Sequence, residues 1–463
     1  MLEDRHPYLP NLDKRITQQM LNRLKIDSID DLFRDIPESL VLKKRLNLPE
    51  GKSELEVKKH IEETLAKNKV YPEYLCFLGG GVWPHYVPAV VDEIVSRSEF
   101  YTSYTPYQPE ISQGVLQALF EYQSLICDLT AMDVANSSMY DWATAVGEAC
   151  RMAVRFKKRS RIVTSRNIGP ERFEVMKNLC EPAGIDVDVV GFDLETGETD
   201  LSQLLAAIND DVAAIYLENP NFFGVIESKV FEIADAIHSK GGLFIVGVDP
   251  LSLGLLKPPG EYGADIVVGE GQPLGLHMNY GGPLLGIFAC KGDQNLIRQM
   301  PGRIIGMTTS KDGTRRGYCM VLQTREQHIR RENATSNICT NEALCAIAAA
   351  VYLSLLGSEG LRELSKLIMY NSHYASKLLS EIRGIKSPYF TSTFFKDFTL
   401  GITKDGVSAE ELHKRLVEYR ILGGLPLSRY YEELSNVALF SVTEIHTKED
   451  IQRLVDAVGK VVS

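Results

Sequence analysis

Between Lys257 and Lys291 this chain has no lysine. Other absences narrow its chemistry further. None of its eight cysteines forms a C-x-x-C pair. No Cys/His cluster has metal-site spacing, so neither a disulfide framework nor a metal site is expected. There is no G-x-S-x-G elbow, no P-loop, no H-E-x-x-H and no G-x-G-x-x-G at a strand–helix turn. Serine hydrolase, NTPase, zincin and Rossmann readings are therefore weak. No uninterrupted apolar stretch reaches the roughly 20 residues that span a bilayer. The first residues, Met1 to Pro7, are charged and lack an apolar core, so no secretory signal is expected. A net charge of −11 argues against nucleic acid and acidic membranes as general partners.

What is present is ordinary for a soluble globular protein: 44% apolar and 24% charged residues. A length of 463 residues suggests two or three packed units rather than one core. Cys76, Cys127, Cys290 and Cys345 lie in apolar runs and read as reduced core residues. A cytoplasmic home is the expectation.

Three regions follow from the pattern. Residues 1–68 read as a charged, helical N-terminal extension, with a capping-type start at Asp27-Ser-Ile-Asp-Asp-Leu-Phe33. Residues 69–335 alternate helices with short apolar strands, among them Arg161–Thr164, Val187–Val190, Val212–Leu217, Leu243–Val248, Ile266–Val268 and Leu284–Phe288. That alternation predicts an α/β fold, a large doubly wound and mostly parallel sheet. Residues 336–463 read as a small α+β C-terminal domain. Helices are expected at Asn341–Leu356 and Glu359–Ile382, strands at Phe394–Leu400 and Val437–Val442, and a capped last helix from Thr447. Ligands of such sheets bind beyond the carboxyl ends of the strands. Asn219, Asp249 and Gly269 all lie just past such ends.

Asp249 gives the lysine gap its meaning. In pyridoxal-phosphate enzymes built as doubly wound sheets, an aspartate at a strand end pairs with the pyridinium nitrogen. The Schiff-base lysine then follows after roughly one more strand. Here that place reads Gly269-Glu-Gly-Gln-Pro-Leu-Gly275. The frame of such an enzyme is present without its covalent residue.

Other motifs admit two readings each. Tyr101 to Gly114 is a stiff polar-aromatic loop in which prolines force an extended path. Its donors could grip a carboxylate, or its tyrosines could simply pack. Gly79-Gly-Gly-Val-Trp-Pro-His85 is a turn beside an imidazole. Asn136-Ser-Ser-Met-Tyr-Asp-Trp-Ala-Thr144 precedes a helix, where Ser137 and Ser138 could hold a phosphate. Trp142 is bulky for such a site, which favours ordinary capping. Asn219 and Asn221 could face a ligand or form a turn. The arginine-rich run Leu322 to Thr340 suits a domain or subunit junction.

Together these runs resemble the P-protein family of the glycine cleavage system, in the N-terminal subunit of its two-chain form. The likeness rests on Tyr104 to Gly114, Asp133 to Ser138, Tyr280-Gly-Gly-Pro283, Met300-Pro-Gly-Arg303 and Leu322 to Thr340. Trp142 and the Gly80-Gly-Val-Trp-Pro wording depart from it. The resemblance implies a fold-type I, pyridoxal-phosphate-dependent transferase-like fold and an oxidoreductase activity in glycine catabolism. It implies that a second subunit carries pyridoxal phosphate on its lysine, where this chain has Gln272 and Pro273. This chain alone would be inactive and bear no catalytic residue. The pair would decarboxylate glycine and pass the aminomethyl group to the lipoyl group of H-protein, as a heterotetramer of two alpha and two beta subunits. Tyr104, Thr105, Tyr107, Gln108 and Glu110, with His85, Arg325, His328 and Arg331, would complete the partner's site. Ser137, Ser138, Asn219 and Asp249 would line a vestigial cofactor pocket. Two alternatives stand beside this: a purely structural assembly subunit, and an autonomous enzyme using a displaced lysine such as Lys291.

Overall fold

A computed structural model describes residue 8 and residues 13–44, 46–404 and 406–463. The Met1–Pro7 stretch weighed above as a signal lies outside the described residues. The chain divides into two compact units, Met1–Asn68 and Lys69–Ser463.

The first unit is built from the helices Lys14–Leu24 and Glu54–Leu65 and short turns between them. Asp31 accepts the backbone N–H groups of Asp27 and Ser28 and so fixes the Ile29–Phe33 turn. Ser53 and Glu56 form a reciprocal capping box. Neither helix buries a residue.

The second unit holds a seven-stranded sheet. Its strands are β1 (Val134–Ala135), β2 (Arg161–Ser165), β3 (Asp186–Val190), β4 (Val212–Glu218), β5 (Leu243–Val248), β6 (Ile266–Glu270) and β7 (Gly286–Cys290). Their spatial order is β1-β7-β6-β5-β4-β2-β3. β2 to β6 run parallel, and β7 is antiparallel to β6 and β1. Every residue of β4 to β7 is buried. This is why they read as continuous apolar runs without alternation.

Residues beyond 335 lie in the same compact unit. The two expected helices form one 38-residue element, Ala343–Ser380, broken at Gly357, where φ is +60°. By length and composition that element could cross a bilayer, which reading uninterrupted runs alone did not register. Ala346, Ile347, Ala349 and Tyr352 of its first half pack into the main core. A four-stranded antiparallel sheet follows, ordered Ile385–Lys386, Asp397–Ile402, Val437–Ser441, Leu425–Pro426. Leu75–Phe77, far back in the chain, pairs in parallel with Ile421–Gly423. Two features escaped the pattern: that pairing, and the hairpin of Ile304–Thr309 with Arg316–Val321. The first is a non-local pairing with no signature in a local window; the second is a local hairpin whose Asp312-Gly313 turn signal went unread.

Gly224 joins the large sheet to the C-terminal segment. Its φ is +80°, and a Cβ there would lie 1.8 Å from the Asp397 carbonyl oxygen. Its own carbonyl accepts the Phe395 N–H at 3.0 Å. Gly224→Ala is therefore expected to cost about 2–4 kcal/mol, through positive-φ strain and a backbone clash. Chemical denaturation of the full chain checks it.

Candidate functional site

The carboxyl ends of β4, β5 and β6 and the start of the Trp142–Lys157 helix meet at one place. Asp249 follows β5, Gln272 follows β6, and the Trp83 and His85 loop covers both. Lys396 enters from the segment that leads into the Asp397–Ile402 strand. Its side chain is 1% exposed. Its ammonium donates to Asp249 Oδ2 at 2.8 Å and to His85 Nε2 at 3.0 Å, and it lies 3.6 Å from the centre of the Trp83 ring. Three donor directions thus meet a carboxylate, an imidazole and an aromatic face. Asp249 Oδ1 accepts the Leu251 N–H.

The relay continues outward. Because His85 Nε2 accepts from Lys396, Nδ1 carries the proton and donates to Glu444 Oε2 at 2.8 Å. Burial, with the Lys396 charge beside it, holds the imidazole below its ordinary pKa. Burial acts to raise the Glu444 carboxyl, but its bonds to His85 and the Tyr86 N–H outweigh that and leave it lowered. Asp397 accepts the Trp83 indole N–H on both oxygens, and burial pushes its carboxyl up to about 6.

Gln272, which the resemblance sets with Pro273 in the place of a Schiff-base lysine, is buried just after β6. Its Oε1 accepts the Trp83 N–H, and its Nε2 donates to the carbonyls of Trp83 and Leu276. An amide can both accept from and donate to the backbone of one residue, which an ammonium group cannot. The start of the Trp142–Lys157 helix is likewise taken by internal groups. Asp141 caps it by accepting the Thr144 N–H, and Glu270 Oε2 accepts the Trp142 N–H at 3.2 Å. Glu270 Oε1 accepts the Gln272 and Leu285 N–H groups. The Trp142 ring is buried in space that Gly247 leaves free: a Cβ on Gly247 would come within 2.9 Å of it. The Arg172 guanidinium lies 3.9 Å over that ring and makes a bidentate pair with Glu218 at 2.6 and 2.7 Å. Burial works against the Arg172 charge, but Glu218 overrides it and raises the pKa.

Among Trp83, Trp142, Asp249 and Lys396 the free space is about 20 Å³, room for about one water. A pyridine ring with its phosphate does not fit. The space is filled by side chains, the Asp249 carboxylate is paired, and the helix start already faces the Glu270 carboxyl. An open cleft of about 770 Å³ lies outside this plug, floored by Trp142 and Arg172.

The remaining expected residues fall into two groups. Tyr104, Tyr107, Gln108 and Glu110 are exposed, Tyr104 by 71% and Tyr107 by 46%. The loop meets the arginine-rich run: Tyr104 bonds Thr340 at 2.9 Å, and Tyr107 accepts from Arg303 at 2.9 Å and packs edge-on against His328. Arg303 also pairs with Glu326 and donates to the Cys339 carbonyl. His328 and Arg331 are exposed beside it. The Thr105 hydroxyl is buried without a hydrogen-bond partner.

Others turn inward. Both His85 ring nitrogens are engaged within the chain, so it cannot reach a second subunit. Arg325 is buried, and its guanidinium donates to the carbonyls of Met300, Gly302 and Leu322. It staples a loop and offers nothing across an interface. Ser137 is held by the Arg303 carbonyl and Asn341, away from the helix start. Ser138 is buried with an unpaired hydroxyl. The Asn219 Oδ1 accepts the Glu227 N–H. Of the four expected pocket residues, Asp249 alone lines the plugged pocket. Lys291 pairs with Asp265 at 2.9 Å, at the opposite end of the strands from Asp249, since Cys290 is in register with Ile266 at the start of β6. That excludes Lys291 as the displaced lysine. Sequence reasoning missed Lys396. The signal was a Lys-Asp pair inside the aromatic run Phe394 to Phe398.

The comparisons agree with this architecture. Residues 6–458 match the family described as glycine cleavage system P-protein. The chain belongs to that family. A relative in Staphylothermus marinus named probable glycine dehydrogenase (decarboxylating) subunit 1 is 51% identical, with 99% of each chain covered. One of the same name in Aeropyrum pernix is 49% identical, covering 98% of this chain and 99% of its own. A crystal structure of glycine decarboxylase (P-protein) in inhibitor-bound form superposes with a TM-score of 0.88 at 40% identity, over 99% of this chain and 100% of its own. Lactobacillus brevis glutamate decarboxylase shares the fold alone, with a TM-score of 0.70 at 13% identity over 92% and 96%. The fold is that of fold-type I pyridoxal-phosphate-dependent enzymes.

Burial pushes the Glu270 carboxyl up to about 8, against 4.5 for an ordinary glutamate. The folded state therefore binds more protons between those values. Stability from this group is complete below about 4.5 and fades as pH rises through 8. The melting temperature of the unaltered chain is expected to fall more between about pH 5 and pH 9 than that of Glu270→Gln, as thermal scans across that range would show.

Proposed function

We propose that this chain is the subunit of glycine decarboxylase that carries no cofactor. A second subunit binds pyridoxal phosphate, which serves there as electron sink when glycine loses CO2. The observation that carries this reading is Gln272 in the lysine's place, holding Trp83 against a site closed by Lys396. Family membership supplies the reaction, and the subunit 1 names of the relatives supply the need for a partner. The pair hands the aminomethyl group to the lipoyl arm of H-protein, and two copies of each subunit form the complex. All eight cysteines are free, which supports a cytoplasmic setting.

This chain contributes from its rim. Tyr104, Tyr107, Gln108 and Glu110 stand on a stiff loop that Arg303 and Thr340 hold in place. Tyr and Gln donors there suit the carboxylate of glycine or the polar end of a lipoyl arm in the partner's site. His328 and Arg331 flank them. With Arg325 and His85 turned inward, these exposed groups are the ones available for that role.

Borohydride reduction with peptide mapping tests the division of labour. The expected result is no pyridoxyl-lysine on this chain, alone or paired, and one on the partner. A reduced lysine mapped here would overturn the reading. The loop has its own test. Tyr107→Phe and Gln108→Ala are expected to lower glycine-dependent exchange of labelled CO2 by about 10-fold or more, as displaced positioning groups do, while the subunits stay associated. Normal exchange in both variants would favour a purely structural subunit.

A further inference from the structure

Lys396 does more than fill a hole. Its backbone is fixed independently of its side chain: its carbonyl accepts the Val442 N–H, and the neighbouring Phe395 bonds Gly224 and Ser372. The ammonium then meets Asp249, His85 and the Trp83 ring, with no donor left over. It is not placed as a nucleophile, being buried and paired with a carboxylate. Its position is that of a ligand. Asp249 lies at a strand's carboxyl end, where sheets of this class receive ligands. A carboxylate there is the group that pairs with a cofactor's pyridinium nitrogen.

We propose that Lys396 is an internal ligand that determines cofactor specificity: its ammonium takes the cation's seat on Asp249 and so keeps this subunit free of pyridoxal phosphate. The Glu270 carboxyl supplies the matching acceptor on the N–H groups of Trp142, Gln272 and Leu285, where a ligand's phosphate would look for donors. The two ends of a phosphorylated pyridine are thus matched by two side chains of the protein itself. This rests on the reading that the partner carries the cofactor, and the test keeps the two separable.

The experiment uses the full chain, alone and with its partner, as wild type, Lys396→Met, Lys396→Ala, Asp249→Asn and Asp249→Asn/Lys396→Met. Lys396→Met should lower the melting temperature by at least ~5 °C, because it leaves Asp249 charged, buried and alone. The double variant should regain at least about half of that loss, the sign of direct coupling. If Lys396→Met does not fold, the double variant set against Asp249→Asn carries the test. Methylammonium should stabilise Lys396→Ala. Sodium and tetramethylammonium at equal ionic strength should not, and none of the three should act on wild type. Pyridoxine 5′-phosphate, which cannot form a Schiff base, should quench tryptophan fluorescence of Lys396→Ala at concentrations at least ~10-fold below any effect on wild type. Additive losses, no methylammonium effect, or equal binding of the analogue by wild type would overturn the proposal. A partner that binds no pyridoxal phosphate would sink the function proposed above while leaving the Lys396–Asp249 coupling standing.

Discussion

A buried ammonium group is tolerable only where each of its protons finds an acceptor and a carboxylate balances its charge. The Lys396–Asp249 pair meets that requirement, and much of the surrounding chain follows from it. Gly224 lets the Asp397 carbonyl approach the large sheet, and Phe395 and Val442 hold the backbone on either side. Trp83 must lie flat for the cation, so its backbone is clamped by Gln272 and its indole N–H by Asp397. Gly79 stays bare because a Cβ there would sit 2.2 Å from Asp397 Oδ1. His85 accepts the last proton and hands its own to Glu444. Removing the cation would strand a carboxylate at a cost of about 3–5 kcal/mol. The whole group therefore stands or falls as a unit.

Asp249 explains why a lysine was needed. Its carboxylate also accepts the Leu251 N–H, and its carbonyl takes the Ser252 hydroxyl. It caps the turn that leaves β5, a task independent of any cofactor. A buried carboxylate kept for that reason needs a cation beside it. A side chain arriving from the C-terminal segment supplies one. The same logic holds at the other end. The N–H groups that open the Trp142–Lys157 helix would be unsatisfied in a dry pocket, and Glu270 accepts that of Trp142 and Asp141 that of Thr144.

The fold was legible because its strands are buried on both faces. Continuous apolar runs at β4, β5 and β6 and the periodic helices between them leave one architecture open. Asp249 and the missing lysine were legible for a related reason, since both are defined by position relative to those strands. The plug was not. Lys396 lay within a run read as strand from Phe394, whereas pairing begins at Asp397. Its partners Asp249 and His85 are 147 and 311 positions away, and no local pattern encodes such a pairing. Arg325 and Ser137 misled for the opposite reason. Their types suit ligand binding, and only the fold shows that backbone carbonyls and Asn341 already satisfy them.

The division between a sealed centre and a polar rim is what a cofactor-free half requires. A half-open pocket would expose Asp249, Glu270 and two tryptophans to water and to stray ligands. Filling it with the bonded set of Lys396, Asp249, His85 and Glu444 closes it instead. The Tyr104–Glu110 loop is held by groups of its own, Thr340 and Arg303. Tyr107 lies against Arg303, and Arg303 bonds Glu326 and the Cys339 carbonyl, so the exposed phenol rests on buried charge. Under the proposed function, what this chain offers its partner is that rim.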